Sequence, residues 1–229
     1  MKTEDLPKHL RVLVENAREV ERLVAIHGRV VGTGPGRKHN VEVLHKSAIV
    51  LLVACWETYV EALAREAVDN LIASAPSPRA IPGKVKAAAA RGLRAAKDET
   101  RVWALAGDGW KEVLRRHKDT LIEGRLSGFH NPDAKKVNQL FEELIGIRAV
   151  LERVTWAGMP RGRPARKLGA LVALRGEIAH RVKAGRRVYK EDVTDATHFF
   201  MRLAGELSNW VGGHLNDITK AAPWAGVKY

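Results

Sequence analysis

HKSAIVLLVACWETYVEAL, His45 to Leu63, contains the longest apolar run of the chain, Ala48 to Trp56. A helix that is apolar on every side has no solvent face and must be wrapped by other elements. The pattern predicts a helix from Asn40 to about Ala73, the longest in the chain, standing as the central pillar of a bundle with other helices on all sides. The run is about half of the roughly 18 to 20 apolar residues that a membrane span needs, so no membrane partner is expected. Just beyond it come Glu57 and Glu61, one turn apart. A carboxylate at the edge of a buried run is costly unless paired, which makes Glu57 a candidate partner for Arg175 or Lys46.

Outward from this pillar the chain reads as further helices. Asp5 to about Arg29 has apolar residues near helical spacing, and the glycine-rich VGTGPGRK, Val31 to Lys38, breaks it. This loop lacks the Lys-Ser or Lys-Thr ending of a phosphate loop and reads as a turn. A proline-rich link, Ala75 to Pro82, leads to an alanine-rich basic helix from about Gly83 to Lys97, and another runs from Trp110 to about Glu123. The next starts near Asp133, carries Val137, Leu140, Phe141, Leu144 and Ile145 on one face, and stops at Gly146. MPRGRP, Met159 to Pro164, leads into an apolar helix ending near Arg181. The last helix, about Glu191 to Val211, presents Val193, Ala196, Phe200, Leu203, Leu207 and Trp210 as a core stripe, and 212–229 reads as a tail. With no alternating strand pattern, the fold class is all-α, one domain with its core at about 5–211.

The 229 residues carry a formal net charge of +13. Such an excess repels itself unless a polyanion offsets it, and nucleic acid is the first candidate. Within Met159 to Lys190 the bases Arg161, Arg163, Arg166, Lys167, Arg175, Arg181, Lys183, Arg186, Arg187 and Lys190 face the single acid Glu177. A generally basic proteome is the alternative. The lone cysteine, Cys55, makes no intramolecular disulfide or metal cluster and reads as a small core residue. Acidic residues in MKTEDLPKHL stand where a signal peptide needs apolar ones, so a cytoplasmic protein is expected.

Inside the basic stretch lies LVALRGEIAHR, Leu171 to Arg181. Arg175 can hold phosphate oxygens with several fixed donors, while His180 can move protons near neutral pH. Two further pairs share the spacing, Arg22 with His27 and Arg125 with His130, but the first is on a charged helix and the second in RLSGFH, read as a loop. Only Arg175 and His180 lie among Leu168, Leu171, Val172, Leu174, Ile178 and Ala179, which would set them at a packed, partly dry surface. The alternative is that Arg175 pairs with a buried carboxylate and His180 closes the helix. Five residues on a helix rotate by about 140°, so one chain would not focus both groups on one phosphate. A two-fold axis near the helix would.

Three stretches in order, His45 to Leu63, NPDAKKVNQLFEELIGI at Asn131 to Ile147, and KLGALVALRGEIAHRV at Lys167 to Val182, resemble the HEPN superfamily, within it the RiboL-PSP-HEPN group. The resemblance implies an up-and-down helical bundle that dimerises with the two motifs meeting at the interface. It also implies a metal-independent, cofactor-free endoribonuclease, of the kind found in toxin–antitoxin pairs and phage defence, with Arg175 and His180 catalytic. Glu57, Glu177 and Arg181 would be supporting groups, and Arg161, Arg163, Arg166, Lys167, Lys183, Arg186 and Arg187 would hold the RNA. The sequence departs from the family at Gly176, where active members commonly carry a polar residue, and at Arg181, often glycine. A non-catalytic RNA-binding or regulatory module of the same fold is the competing reading.

Overall fold

A computed structural model describes residues 3–31, 42–94, 99–127, 129–181 and 187–228. The chain folds into helices α1 (Lys8–Val31), α2 (Glu42–Ser74), α3 (Gly83–Arg94), α4 (Gly109–Leu126), α5 (Ala134–Ile145), α6 (Val150–Arg153), α7 (Arg163–Arg181) and α8 (Lys190–Thr219), with short 3-10 turns between some of them. Among the described residues the nearest approach to a strand is one isolated bridge between Trp156 and Met159. Most of the glycine-rich Val31 to Lys38 stretch lies outside the described residues.

The expected pillar is α2, which packs against α1, α8, α7, α4 and α5. Trp56, Tyr59, Val60, Leu63 and Ala64 are fully buried along it. One window of α2 is long and apolar enough to cross a membrane, more than the Ala48 to Trp56 run suggested, yet over half of it is buried inside the fold. The cover is nevertheless incomplete. Val50 and Leu51 are only half-buried, Ala54 is exposed, and Val43 is 61 % exposed. Cys55 is in the core, where burial pushes its thiol up to about 11, away from a nucleophile's range.

The α5 helix shows how local chemistry sets boundaries. Asp133 accepts the Lys136 N–H at 2.9 Å as N-cap. Gly146 ends the helix in the left-handed region at φ 78°, with its N–H on the Glu142 carbonyl. A Cβ there would also stand 3.0 Å from Pro82. Gly146→Ala should therefore cost about 1–2 kcal/mol, to be read as a lower midpoint in denaturant unfolding; an unchanged midpoint would contradict this end to the helix.

The last helix is longer than its sequence suggests. It continues through Gly212 and Gly213 to Thr219, and the remaining segment folds back onto it. Trp224 donates to the Ser208 carbonyl at 3.3 Å, and Val227 pairs with Asn209 through two hydrogen bonds. Gly212 permits this, since a Cβ would meet the Trp224 ring at 2.9 Å. The core stripe holds from Val193 to Leu207, but Trp210 is 40 % exposed rather than buried.

Helices α1, α2 and α8 are tied by a polar knot in the core. His9, fully buried, donates through Nδ1 to Glu66 at 2.7 Å, and its Nε2 meets the Ser208 hydroxyl at 2.8 Å. Burial raises the Glu66 pKa, but the His9 hydrogen bond and charge outweigh it and hold the carboxyl below its ordinary 4.5. A depressed folded pKa gives stability that is present above pH 4.5 and is lost as pH falls through the lower folded value. Glu66→Gln should flatten the acid limb of a stability–pH curve below pH 4.5, measured by urea unfolding; an unchanged limb would remove Glu66 from it.

Candidate active site

Helix α7 packs on α2, with smaller contacts to α5 and α6. Leu168 is fully buried and anchors its N-terminal half. Leu171, Val172, Leu174 and Ile178 are only partly buried, and Ala179 is exposed. The C-terminal half of the helix therefore keeps apolar surface uncovered in the single chain. Arg175 is half-buried among these residues and His180 is exposed. In the single chain Arg175 is thus partly desolvated as expected, while His180 faces solvent rather than the partly dry surface expected for it.

Neither group is engaged. Among the described residues, Arg175 and His180 make no hydrogen bond or ion pair, so no buried carboxylate neutralises the guanidinium. Glu57, expected beside Arg175 or Lys46, lies elsewhere. It accepts the Asn131 N–H at 3.3 Å and stands 3.5 Å from His130, while Lys46 pairs with Glu42 at 3.0 Å. Asn131 has φ 56°, a left-handed conformation that asparagine tolerates, and the carboxylate of Glu57 secures that turn. Burial and the Glu57 charge raise the pKa of Glu61, against Arg65 and His130.

Among the described residues the basic stretch runs the length of α7 rather than gathering at one end of it. Arg161, Arg163 and Arg166 are exposed around the start of α7, and Lys167 lies over the Phe199 ring at 5.0 Å. Arg187 is exposed beyond the other end, near the start of α8, and Glu177 is exposed on α7 between them. Arg181 is the last residue of α7, while Lys183 and Arg186 lie outside the described residues. At 1.5 Å per residue the 19-residue helix is about 28 Å long from Arg163 to Arg181. The other pairs with the same spacing are placed differently: Arg22 is bound to Glu19 at 2.5 Å, and His130 is in the loop beside Glu57.

One contribution escaped the sequence. The start of α2 holds the segment that follows α7: His45 Nδ1 donates to the Val188 carbonyl at 3.1 Å. Glu42 is held below the usual carboxylate range by its hydrogen bond with Lys46, against burial, with help from Lys46's charge, the Val188 backbone and Arg187. His45 opens the longest apolar run, but nothing in the sequence shows that its ring meets residue 188.

The sequence matches the family model described as RiboL-PSP-HEPN over residues 13–212. The chain belongs to the RiboL-PSP-HEPN family. No curated protein and no solved structure matches it. The match takes in α2, α5 and α7, the three helices whose sequences carried the resemblance, and most of α8. Gly176, which follows Arg175, is half-buried, and a Cβ there would meet nothing within 4 Å. The single chain therefore does not need glycine for packing at that position.

Proposed function

We propose that this HEPN chain is a metal-independent endoribonuclease that acts as a homodimer in the cytoplasm, as the toxin or defence effector of a system with its own neutralising partner. The observation that carries the reading is Arg175, which among the described residues has no carboxylate partner, on a half-covered apolar helix whose last turn carries an exposed His180. A half-desolvated guanidinium without a counter-ion is costly unless an anion is supplied from outside. The uncovered apolar residues of α7 and α2 suit a second copy, whose packing around a two-fold axis would bring both motifs to one cleft.

In that cleft one His180 removes the proton of an RNA 2′-hydroxyl. The 2′-oxygen bonds to the adjacent phosphorus, the bond from phosphorus to the 5′-oxygen breaks, and the other His180 protonates the leaving oxygen. Arg175 stabilises the charge on the crowded phosphate. The products are a 2′,3′-cyclic phosphate and a 5′-hydroxyl, and DNA, without the nucleophile, is not cut. The basic residues at the two ends of α7 guide the strand from either side.

The test is a labelled single-stranded RNA incubated with the protein in excess chelator. Cleavage leaving those two ends supports the reading; cleavage that needs a divalent metal sinks it. Gly176 favours the second reading, a non-catalytic RNA-binding or regulatory module, because a polar side chain would fit there and the chain does without it. RNA bound but never shortened would select that module.

A further inference from the structure

The C-terminal half of α8 passes the link between α5 and α6 along a groove of about 470 Å³, within the size range of small-ligand sites, ~300–1,000 Å³. One wall is a single face of α8, with Trp210, Gly213, His214 and Asp217 at helical spacing, and the other wall carries Arg148 and Arg153. None of these residues takes part in the cleavage reading. Trp210 is 40 % exposed at the point where the core stripe of α8 gives out. An indole face in a groove is a stacking platform for a planar ring.

The polar groups around it are arranged rather than scattered. Arg153 donates only its Nε, to the Arg148 carbonyl at 3.2 Å, which leaves its terminal nitrogens open among the described contacts. The Arg148 guanidinium has one distant carboxylate, Glu142 at 3.7 Å. Glu206, also on the groove, is neutralised by Arg202 at 2.7 Å, so Asp217 is the acid without an ion pair there. His214 is fixed by donating Nε2 to the Ile145 carbonyl at 2.9 Å. At Gly213 a Cβ would meet nothing within 4 Å, and the groove stays open beside the indole.

We propose that this groove binds a guanine nucleotide unit, with its base on Trp210, its donor edge at Asp217 and its phosphate at Arg148 and Arg153. Guanidinium groups suit phosphate oxygens. A carboxylate accepts two hydrogen bonds from the adjacent N1–H and N2 amino donors of guanine, whereas adenine offers there one amino donor beside an acceptor. The unit is either a free nucleotide or an unpaired residue of an RNA strand, and both present the same chemistry.

Binding of 5′-GMP, of 5′-AMP and of a guanine-containing 2′-O-methyl octaribonucleotide, which cannot be cleaved for lack of a 2′-hydroxyl, is measured by calorimetry. Wild-type protein should bind 5′-GMP at least about tenfold more tightly than 5′-AMP if the site takes free nucleotides, or bind the strand alone if it takes RNA. Trp210→Leu should weaken whichever probe binds by about tenfold, the worth of one stacked base. Gly213→Leu, a substitution that favours helix and fills the groove without changing charge, should do the same, while Trp103→Leu, which removes an exposed indole outside the groove, should leave binding unchanged. The proposal is overturned if neither 5′-GMP nor the strand binds, if Gly213→Leu binds as wild type does, or if 5′-GMP binds and 5′-AMP binds as tightly. Loss of binding in Trp103→Leu would move the ligand off the groove and overturn it as well. A protein that fails to cut RNA but passes these tests loses the nuclease reading and keeps the groove.

Discussion

His180→Ala is expected to slow RNA cleavage by about 10²–10⁴-fold, the usual worth of a general acid or base. The effect should be at the upper end, because one substitution removes both the base and the acid from a symmetric site. Arg175→Ala should cost about 10²–10³-fold, the scale of losing one donor to a charged transition state. His180 is exposed, so its removal should leave the unfolding midpoint where it is, within about 0.5 kcal/mol. Equal cleavage by wild type and both variants, each confirmed as a folded dimer, would remove these residues from the mechanism.

Trp56→Ala carries the largest expected loss of stability, about 3–5 kcal/mol. Its side chain is fully buried, stacks on Tyr59 with centroids 5.4 Å apart, meets Phe200 at 5.7 Å, and donates to the Pro132 carbonyl at 3.0 Å. Alanine leaves a cavity between α2 and α8 and an unpaired carbonyl in the turn that Glu57 also holds. For a chain of this size the melting midpoint should fall by about 6–20 °C. Trp56→Phe keeps the ring contacts and loses mainly the hydrogen bond, so its cost should be about 1–3 kcal/mol. A small loss for both would mean that the core between α2 and α8 relaxes to fill the space.

The parts of the fold that were legible in the sequence are those set by local chemistry. Asp133 and Gly146 bound α5 because a cap and a left-handed turn act within a few residues. The Ala48 to Trp56 run announced a buried helix, but a run apolar on all sides has no periodicity to show which strip stays bare, and the exposure of Ala54 was hidden by it. Gly212 and Gly213 read as a helix end because glycine is a poor helix former, yet one makes room for Trp224 and the other borders a groove, and both reasons are tertiary. The partner of Glu57 depends on a turn 74 residues away. The basic stretch is continuous along the chain, but its first arginines are around the start of a 19-residue helix and Arg181 is at its end.

The knot of His9, Glu66 and Ser208 bears on when the fold can close. His9 and Ser208 are 199 residues apart, and at common synthesis rates of about 5–20 residues per second the first waits roughly 10–40 s for the second. During that interval α1 and α2 can pair, but the side of each that α8 covers stays open, with a buried histidine lacking one partner. The helix with Arg175 and His180 packs on α2, α5 and α6, all made before α8, so it can dock before the knot is complete. In this order of assembly the core between α1, α2 and α8 is the last part of the fold to close.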